Sequence, residues 1–192
     1  MGMIYQKLES YISHVPSGSV FVEIGSDRYE GSTAELDRLA GLYQSKLITV
    51  DILPEARHRL SNQLTNTEFV IDDGKQWAMN YRGPSIACLY LDNFDYIWNT
   101  MENTNIHIHK QIEDYADRGV QMTNQNCQIE HLAQLIYLYP HLLPDSVVMF
   151  DDTYLHNDCW TGKCGPGVVY LQAQGWKILE HTTDTGVILK RS

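Results

Sequence analysis

The sequence predicts an α/β fold, a mostly parallel sheet with helices on both faces. Short β-branched apolar runs alternate with helical patterns along the chain, and the first run, Val20–Ile24, leads through a glycine-bearing turn directly into a helix. Repeated β–α units of this kind place parallel strands in one sheet and their connecting helices on its two faces. The 192 residues suffice for one such core, so we interpret residues 1–192 as a single domain.

Each element has its own local signal. Residues 1–16 carry an amphipathic helical pattern from Ile4 to His14, closed by Pro16 and Gly18. Apolar runs predict five strands, at Val20–Gly25, Leu47–Ile52, Glu68–Asp72, Ile86–Asp92 and Ser146–Asp152. Helices are predicted at Thr33–Tyr43, Pro54–Leu64, Gly74–Tyr81 and Gln125–Tyr139. A terminal antiparallel hairpin, Trp176–His181 with Gly186–Arg191, completes seven strands.

The composition argues against several classes of function. The formal net charge is −10 and the 14 basic residues form no cluster, whereas a nucleic-acid partner requires clustered Lys and Arg. No apolar run is long enough to cross a bilayer and no secretory pattern is present, so we expect a cytoplasmic protein without a membrane partner. The four cysteines lack zinc-site spacing, which favours free thiols. A homo-oligomer is compatible with this composition.

The stretch from Val20 to Leu36 has the organisation of a ligand-binding turn. Gly25 and Gly31 allow backbone angles that other residues resist, so the main chain can approach a ligand closely. Ser32 and Glu35 have the spacing of a capping box, which predicts a helix N-terminus directly after the loop. Free N–H groups at such a terminus suit a nucleotide-like ligand, although a strand–turn–helix without a ligand remains an alternative.

Details of the loop narrow the choice of ligand. Asp27 stands where a dinucleotide fingerprint has its second glycine, and no Gly-Lys-Ser/Thr precedes the helix. Glu23, two residues before Gly25, suits a ligand with a cationic amine and hydroxyls rather than a pyrophosphate. Asp51 ends the next strand, where a carboxylate can accept both ribose hydroxyls of an adenosine.

Val20–Leu36 together with Asp51 resembles motif I of class I S-adenosylmethionine-dependent methyltransferases, and the strand–helix order extends the resemblance over nearly the whole chain. It implies a Rossmann-like, seven-stranded, mostly parallel sheet with a C-terminal antiparallel hairpin, and S-adenosylmethionine as cofactor. The implied cofactor-binding residues are Glu23, Gly25, Ser26, Gly31, Ser32, Thr33, Asp51, Ile52, Asp73, Gly74 and Asp92. Asp73 would meet the adenine amine, with Asp72 as the neighbouring alternative and helix capping as the competing interpretation.

Carboxylates also end two other apolar strands. Asp92 and Asp95 follow the fourth, Asp151 and Asp152 the fifth, and the carboxyl ends of neighbouring parallel strands meet at one crevice. Three convergent carboxylates, Asp92, Asp151 and Asp152, require a cation, and an all-oxygen set favours Mg²⁺, Mn²⁺ or Ca²⁺. Alternatively, Asp152 caps the following turn and Asp92 orients an acceptor without metal.

The same pattern is similar to the metal site of magnesium-dependent O-methyltransferases of the catechol and cephalosporin-hydroxylase-like types. Asp152 stands where the catechol type usually has Asn, and no lysine follows Asp92. The general base is therefore open among Asp92, Asp95 and a histidine, of which His156 is the best placed.

Two segments are expected to form the lid and the acceptor pocket, because each follows a strand at the crevice. Residues 93–125 include Tyr96 and Trp98, and residues 154–167 include Tyr154, Trp160 and Lys163. Their aromatic rings suit a sugar or another small molecule. The sequence thus predicts O-methylation of a small-molecule or sugar hydroxyl assisted by a divalent metal. The alternatives are a non-catalytic S-adenosylmethionine- or nucleotide-binding protein and a metal-independent N-methyltransferase.

Overall fold

The computed structural model describes residues 3–27, 29–97, 106–182 and 186–191. Its strands are β1 Val20–Ile24, β2 Lys46–Asp51, β3 Thr67–Ile71, β4 Ile86–Leu91, β5 Leu142–Asp151, β6 Thr153–His156, β7 Cys159–Gly162, β8 Trp176–Thr182 and β9 Gly186–Arg191. The α-helices are α1 Ser32–Leu42, α2 Glu55–Leu60, α3 Gly74–Asn80, α4 Ile106–Asp117, α5 Asn124–Leu138 and α6 Gly165–Ala173. Two 3₁₀ helices span Ile4–Tyr11 and Tyr139–His141.

Seven strands form one sheet in the order β3-β2-β1-β4-β5-β9-β8, and β6 with β7 forms a separate hairpin. The pairs from β3 to β5 are parallel, whereas β9 runs antiparallel between β5 and β8. Ile24 aligns with Val50 on one side and with Leu91 on the other, and Leu91 aligns with Phe150. The carboxyl ends of β1, β2, β4 and β5 therefore share one edge of the sheet.

Side chains of successive strand residues point to opposite faces, and each face has its own core. Val22 and Ile24 of β1 pack in the cluster that includes residues of α3, α5 and α6. Phe21 faces the other cluster, which contains α1 and the 3₁₀ helix Ile4–Tyr11. The predicted fold class, a mostly parallel sheet covered on both faces and closed by an antiparallel strand pair, is confirmed. Among the described residues, no helix has the length and apolar content needed to span a bilayer.

Several local predictions were wrong. The N-terminal helix is 3₁₀ rather than α-helical, and it ends at Tyr11. The capping box does not form, because Gly31 occupies the N-cap of α1 without a side-chain bond and Ser32 bonds elsewhere. Neither lid segment is wholly irregular: residues 93–125 contain α4, and residues 154–167 contain most of the β6–β7 hairpin and the start of α6.

Candidate functional site

A cleft of about 830 Å³, open to solvent, lies at the carboxyl edge of the sheet. It is bordered by the ends of β1 and β2, by the turns after β3 and β4, and by α4 and α5. Asn93 lines the cleft, and its Oδ1 is buried without a hydrogen-bond partner in the described part of the chain. Because buried polar groups are rarely left unpaired, this atom suits a polar ligand in the cleft.

Asp51 joins the end of β2 to the loop after β1. One carboxylate oxygen accepts the backbone N–H of Ser26 at 2.9 Å, and the other accepts that of Leu53 at 2.8 Å. The side chain of Asp51 also lines the cleft, as does Ile52. A carboxylate in this position can accept further hydrogen bonds from ligand hydroxyls, and the predicted contact of Asp51 with a ribose stays a prediction.

Glu23 lies beneath the loop rather than in the cleft. It is fully buried, and its oxygens accept hydrogen bonds from the hydroxyls of Ser32 and Thr33 at 2.7 Å and of Thr49 at 2.6 Å. Burial raises the pKa of Glu23 to about 7, although the three hydroxyl bonds act in the opposite direction. Glu23, Ser32 and Thr33 therefore hold β1, β2 and α1 together. Their predicted contact with a cofactor stays a prediction.

Asp27 fills the anion-binding position that the loop creates. Its Oδ1 accepts the backbone N–H groups of Tyr29 at 2.9 Å and Gly31 at 2.8 Å, and it also accepts that of Glu30. The guanidinium of Arg59 lies 3.4 Å from the other oxygen and 4.1 Å from the Tyr29 ring centroid. Because the chain's own carboxylate satisfies these donors, the loop does not offer them to a phosphate.

The turn after β3 supplies another wall of the cleft. Asp73 lines it and also caps α3, since its Oδ1 accepts the backbone N–H of Gln76 at 2.8 Å. Both interpretations of this residue, capping and ligand contact, are thus compatible with its position. Asp72 instead accepts the backbone N–H of Asp73. Gly74 follows, and a Cβ there would lie 2.5 Å from Ile24, so the start of α3 packs directly on β1.

One side of the cleft is closed by Tyr115 of α4 and by Arg118, which directly follows this helix. The Tyr115 ring packs edge-on against Phe94 with centroids 4.8 Å apart. Asp95 faces the same helix: its backbone N–H donates to the Tyr115 hydroxyl at 3.0 Å, and its carboxylate accepts from Gln111 at 3.3 Å. The predicted base Asp95 is therefore engaged in attaching α4 to the end of β4. Trp98, also in the predicted lid, lies outside the described residues.

The acidic residues that end β4 and β5 converge as predicted, but around a lysine. Lys163 Nζ lies 2.7 Å from Asp92 Oδ1 and 3.1 Å from Asp152 Oδ2. Only 7% of the Lys163 side chain is exposed, against 32% for Asp152. The hydroxyl of buried Tyr90 donates to the other oxygen of Asp92 at 3.4 Å.

The β6–β7 hairpin brings Lys163 to this position. Asp152 precedes the hairpin with a left-handed φ of 45°, which an aspartate tolerates. Gly162 ends it with a φ of 82°, and a Cβ there would lie 2.0 Å from the Asp152 carbonyl oxygen. The backbone N–H of Lys163 then donates to that same oxygen at 3.0 Å. The two ends of the hairpin are thus fixed against each other, with Lys163 beside the carboxylates.

Asp151 is the most buried acid of the cluster. It is 4% exposed, and its Oδ1 has no hydrogen-bond partner among the described residues. Burial first, and then the negative charge of Asp92, raise the pKa of Asp151 well above its usual value. The ammonium of Lys163 keeps its proton, because the surrounding carboxylates raise its pKa despite burial.

Asp92, Asp151 and Asp152 do not fit the predicted divalent-metal site. A metal ion shared by these carboxylates would have to share their centre with the Lys163 ammonium, which already supplies the positive charge. Within the described ranges, no group of three or more His, Cys, Asp or Glu side chains has an arrangement that would hold a metal. The structure therefore gives no support to Mg²⁺, Mn²⁺ or Ca²⁺ at this position.

His156 lies at the far end of β6, about 10 Å along the strand from Thr153. Its side chain is exposed, and its Nε2 lies 3.1 Å from the amide nitrogen of Asn157. The predicted base His156 is thus not brought to the carboxylates. Trp160, on β7, packs against the core and lies edge-on to His181 at 5.8 Å.

Sequence reasoning assigned no role in the site to Asp27, Tyr90 or Lys163, although it named Asp27 in the loop after the first strand and Lys163 in the predicted acceptor segment. Lys163 contacts Asp92 across 71 residues of sequence, and the signal available for it was its position soon after the Asp151-Asp152 pair. Asp27 was noted only as a departure from a glycine pattern, although its polar side chain in a tight loop favours bonding to local N–H groups.

No family model matches the chain, and no curated protein matches it significantly. Solved structures do match. A proposed methyltransferase from Streptococcus mutans in complex with SAH is 12% identical, with a TM-score of 0.56 over 98% of this chain and 95% of that one. The O-methyltransferase NovP is 16% identical, with a TM-score of 0.62 over 98% and 78%. The N-methyltransferase NodS from Bradyrhizobium japonicum WM9 is 14% identical, with a TM-score of 0.52 over 97% and 92%.

The chain therefore has the Rossmann-like fold of class I methyltransferases. At these identities the similarity establishes the fold alone, and the structures that share it include both an O- and an N-methyltransferase.

Proposed function

We propose that the protein is an S-adenosylmethionine-dependent methyltransferase that acts on a hydroxyl of a small molecule, such as a sugar or another hydroxylated metabolite. The cleft carries this proposal: it lies at the carboxyl edge of a methyltransferase fold, with Asp51 and Asp73 on its walls. Asn93 Oδ1, which has no hydrogen-bond partner among the described residues, adds a polar group at the same place.

The contacts that we propose with S-adenosylmethionine follow from where each residue lies around the cleft. Asp51 would accept the ribose hydroxyls, while Asp73 and the backbone of Gly74 would meet the adenine. The loop from Gly25 to Gly31 would lie under the amino-acid tail. This loop supports a cofactor without phosphate, because Asp27 already occupies its backbone donors.

Bound S-adenosylmethionine supplies an electrophilic methyl group on its sulfonium. Asp92 is our proposed base for the acceptor hydroxyl, because it ends β4 next to Asn93, which lines the cleft. Lys163 and Tyr90 fix the two oxygens of its carboxylate. Asp95 and His156 are less suitable as bases, since one bonds to α4 and the other lies at the hairpin end.

The β6–β7 hairpin and α4 are proposed to bound the acceptor pocket. They follow the two strands whose acids converge, and Tyr154 on β6 lies near Tyr96 after β4. The negative net charge favours an uncharged or cationic acceptor over a nucleic acid. We further propose a cytoplasmic location, in line with the free thiols of Cys88, Cys127, Cys159 and Cys164.

Calorimetric titration with S-adenosylhomocysteine tests the proposal. We expect micromolar binding, about −8 kcal/mol, that Asp51→Asn weakens. Asp145→Asn is the matched control, because Asp145 is exposed near the start of β5, at the opposite edge of the sheet. Absence of binding to the folded wild type would rule out the cofactor and with it the proposed function.

Turnover then separates the proposed function from its alternatives. Binding without methyl transfer to a panel of sugars, phenols and amines would favour a non-catalytic binding protein, and transfer to amines alone would favour an N-methyltransferase.

A further inference from the structure

Lys163 is almost completely buried and faces more carboxylates than a single ion pair requires. Asp92 and Asp152 lie within hydrogen-bond distance of its ammonium, and the negative charge of Asp151 also acts on it. The carboxyl of Glu30 interacts electrostatically with Lys163, Asp92 and Asp152. Burying a lysine is costly unless opposite charge compensates it, and here the compensation comes from the ends of two neighbouring strands.

We propose that Lys163 is the resident cation of the acceptor site, a positioning residue that holds Asp92 and Asp152 in place of a divalent metal ion. The term "acceptor site" rests on the proposed function, whereas the contacts of Lys163 with Asp92 and Asp152 do not depend on it. The oxygen-rich pattern predicted a metal because three acids required a cation. The chain supplies that cation from its own sequence.

The ammonium does part of what a metal would do. Its hydrogen bond to Asp92 Oδ1 at 2.7 Å fixes the carboxylate that we propose as base, and its contact with Asp152 at 3.1 Å fixes the more exposed acid. It carries one positive charge instead of two and offers three donors in place of open coordination positions. The Asp152 carbonyl and the hairpin backbone hold it there, so the position does not depend on an ion from solution.

An ordinary buried salt bridge would show the same distances. A test therefore has to distinguish a cation shared by several acids from a lysine in a purely structural ion pair. Removing a lysine from an ordinary pair leaves one carboxylate without a partner. Removing the ammonium that Asp92 and Asp152 share instead leaves two neighbouring carboxylates without a cation, and one or two carboxylates completed by water are enough to bind a hard divalent ion. A gain of metal binding therefore distinguishes a shared cation from a purely structural pair.

The experiment is Mn²⁺ binding to the full chain, followed by electron paramagnetic resonance. We expect Lys163→Ala to bind one Mn²⁺ per chain at least about tenfold more tightly than the wild type, and we expect the double variant with Asp152→Asn to lose this gain. Lys7→Ala is the control, because Lys7 also forms a lysine–carboxylate pair, with Glu180 at 2.9 Å, away from the cluster.

Two outcomes would overturn the inference. One is a folded Lys163→Ala variant with no gain in Mn²⁺ affinity. The other is Mn²⁺ binding by the wild type that Asp152→Asn abolishes, and this arm holds even if Lys163→Ala does not fold. The S-adenosylhomocysteine titration of the wild type reports separately on the proposed function, so failure of either proposal is distinguishable from failure of the other.

Discussion

The backbone at Gly25 lies directly against that of Asn93. A Cβ built on Gly25 would sit 2.4 Å from the Asn93 amide nitrogen, and Gly25 has a φ of +97°. The glycine thus lets β1 and β4 end side by side, which sets the loop after β1 next to Asp92. The glycine pattern predicted a close approach between the main chain and a ligand. In this structure, the close approach at Gly25 is to the backbone of Asn93.

We expect Gly25→Ala to lower the free energy of unfolding by about 3 kcal/mol or more, because the clash is with backbone and the φ is unfavourable. Gly175→Ala is the matched control: its φ is +85°, but nothing lies within 4 Å of its Cβ. That variant should lose only about 1 kcal/mol, the cost of the backbone angle alone. Urea unfolding measures both, and equal losses would contradict a role for the close contact.

The five parallel strands could be predicted because their signal is local. Each is a short apolar run, and four of the five predicted strands match the structure to within one residue at both ends. The exception is β5, which starts at Leu142 instead of Ser146, since Pro144 and Asp145 interrupt the apolar pattern. Helix α6 was missed because Gly165-Pro166-Gly167 has the composition of a turn, although proline is well tolerated in a first helical turn.

The site was predictable only in part, because its chemistry depends on contacts between residues that are far apart in the sequence. Strand order brought Asp92, Asp151 and Asp152 to one edge, and the structure does place them together. No local pattern indicated which cation would accompany them, since Lys163 reaches Asp92 only through the β6–β7 hairpin.

Glu23 gives the stability of the protein a specific pH dependence. The folded protein keeps the Glu23 proton up to about pH 7, whereas the unfolded chain releases it near pH 4.5. Over this window the folded state binds more protons, so the free energy of unfolding falls as pH rises, by up to roughly 3 kcal/mol. Glu23→Gln has no proton to lose at this position, so its stability should fall less with pH than that of the wild type; the fall that Asp151 contributes remains in both proteins.

Urea unfolding at several pH values between 4.5 and 7.5 measures the effect. Glu68→Gln, on the exposed face of β3, should retain the wild-type pH dependence. An unchanged pH dependence in Glu23→Gln would show that the carboxyl is already ionised in the folded protein at pH 4.5.

Tyr5 ties the N-terminal 3₁₀ helix to the loop after β1, because its hydroxyl donates to the Glu30 carbonyl oxygen. Tyr5→Phe should cost about 1 kcal/mol of stability and should weaken S-adenosylhomocysteine binding, since the loop loses an anchor. Tyr43→Phe removes a similar bond, to the Ile12 carbonyl at 2.9 Å, away from the cleft. Calorimetry should show weaker binding only for Tyr5→Phe; equal affinities would mean that the tether does not shape the site.

Asp73 has two roles that substitution can separate. As N-cap of α3 it accepts the Gln76 N–H, and as a cleft residue it is our proposed partner for the adenine amine. Asp73→Ala should lose about 1 kcal/mol of stability and about threefold to tenfold in S-adenosylhomocysteine affinity. Asp73→Ser retains a capping hydroxyl but has a shorter side chain, so it should lose affinity with little loss of stability.

Thr123→Ala supplies the opposite control, because Thr123 caps α5 by accepting the Asn126 N–H at 3.1 Å and does not line the cleft. It should lose stability without losing affinity. Thermal unfolding and calorimetry on the three variants therefore give distinct patterns. If Asp73→Ser binds as tightly as the wild type, Asp73 acts only as a cap, and the adenine contact must be made by the backbone after it.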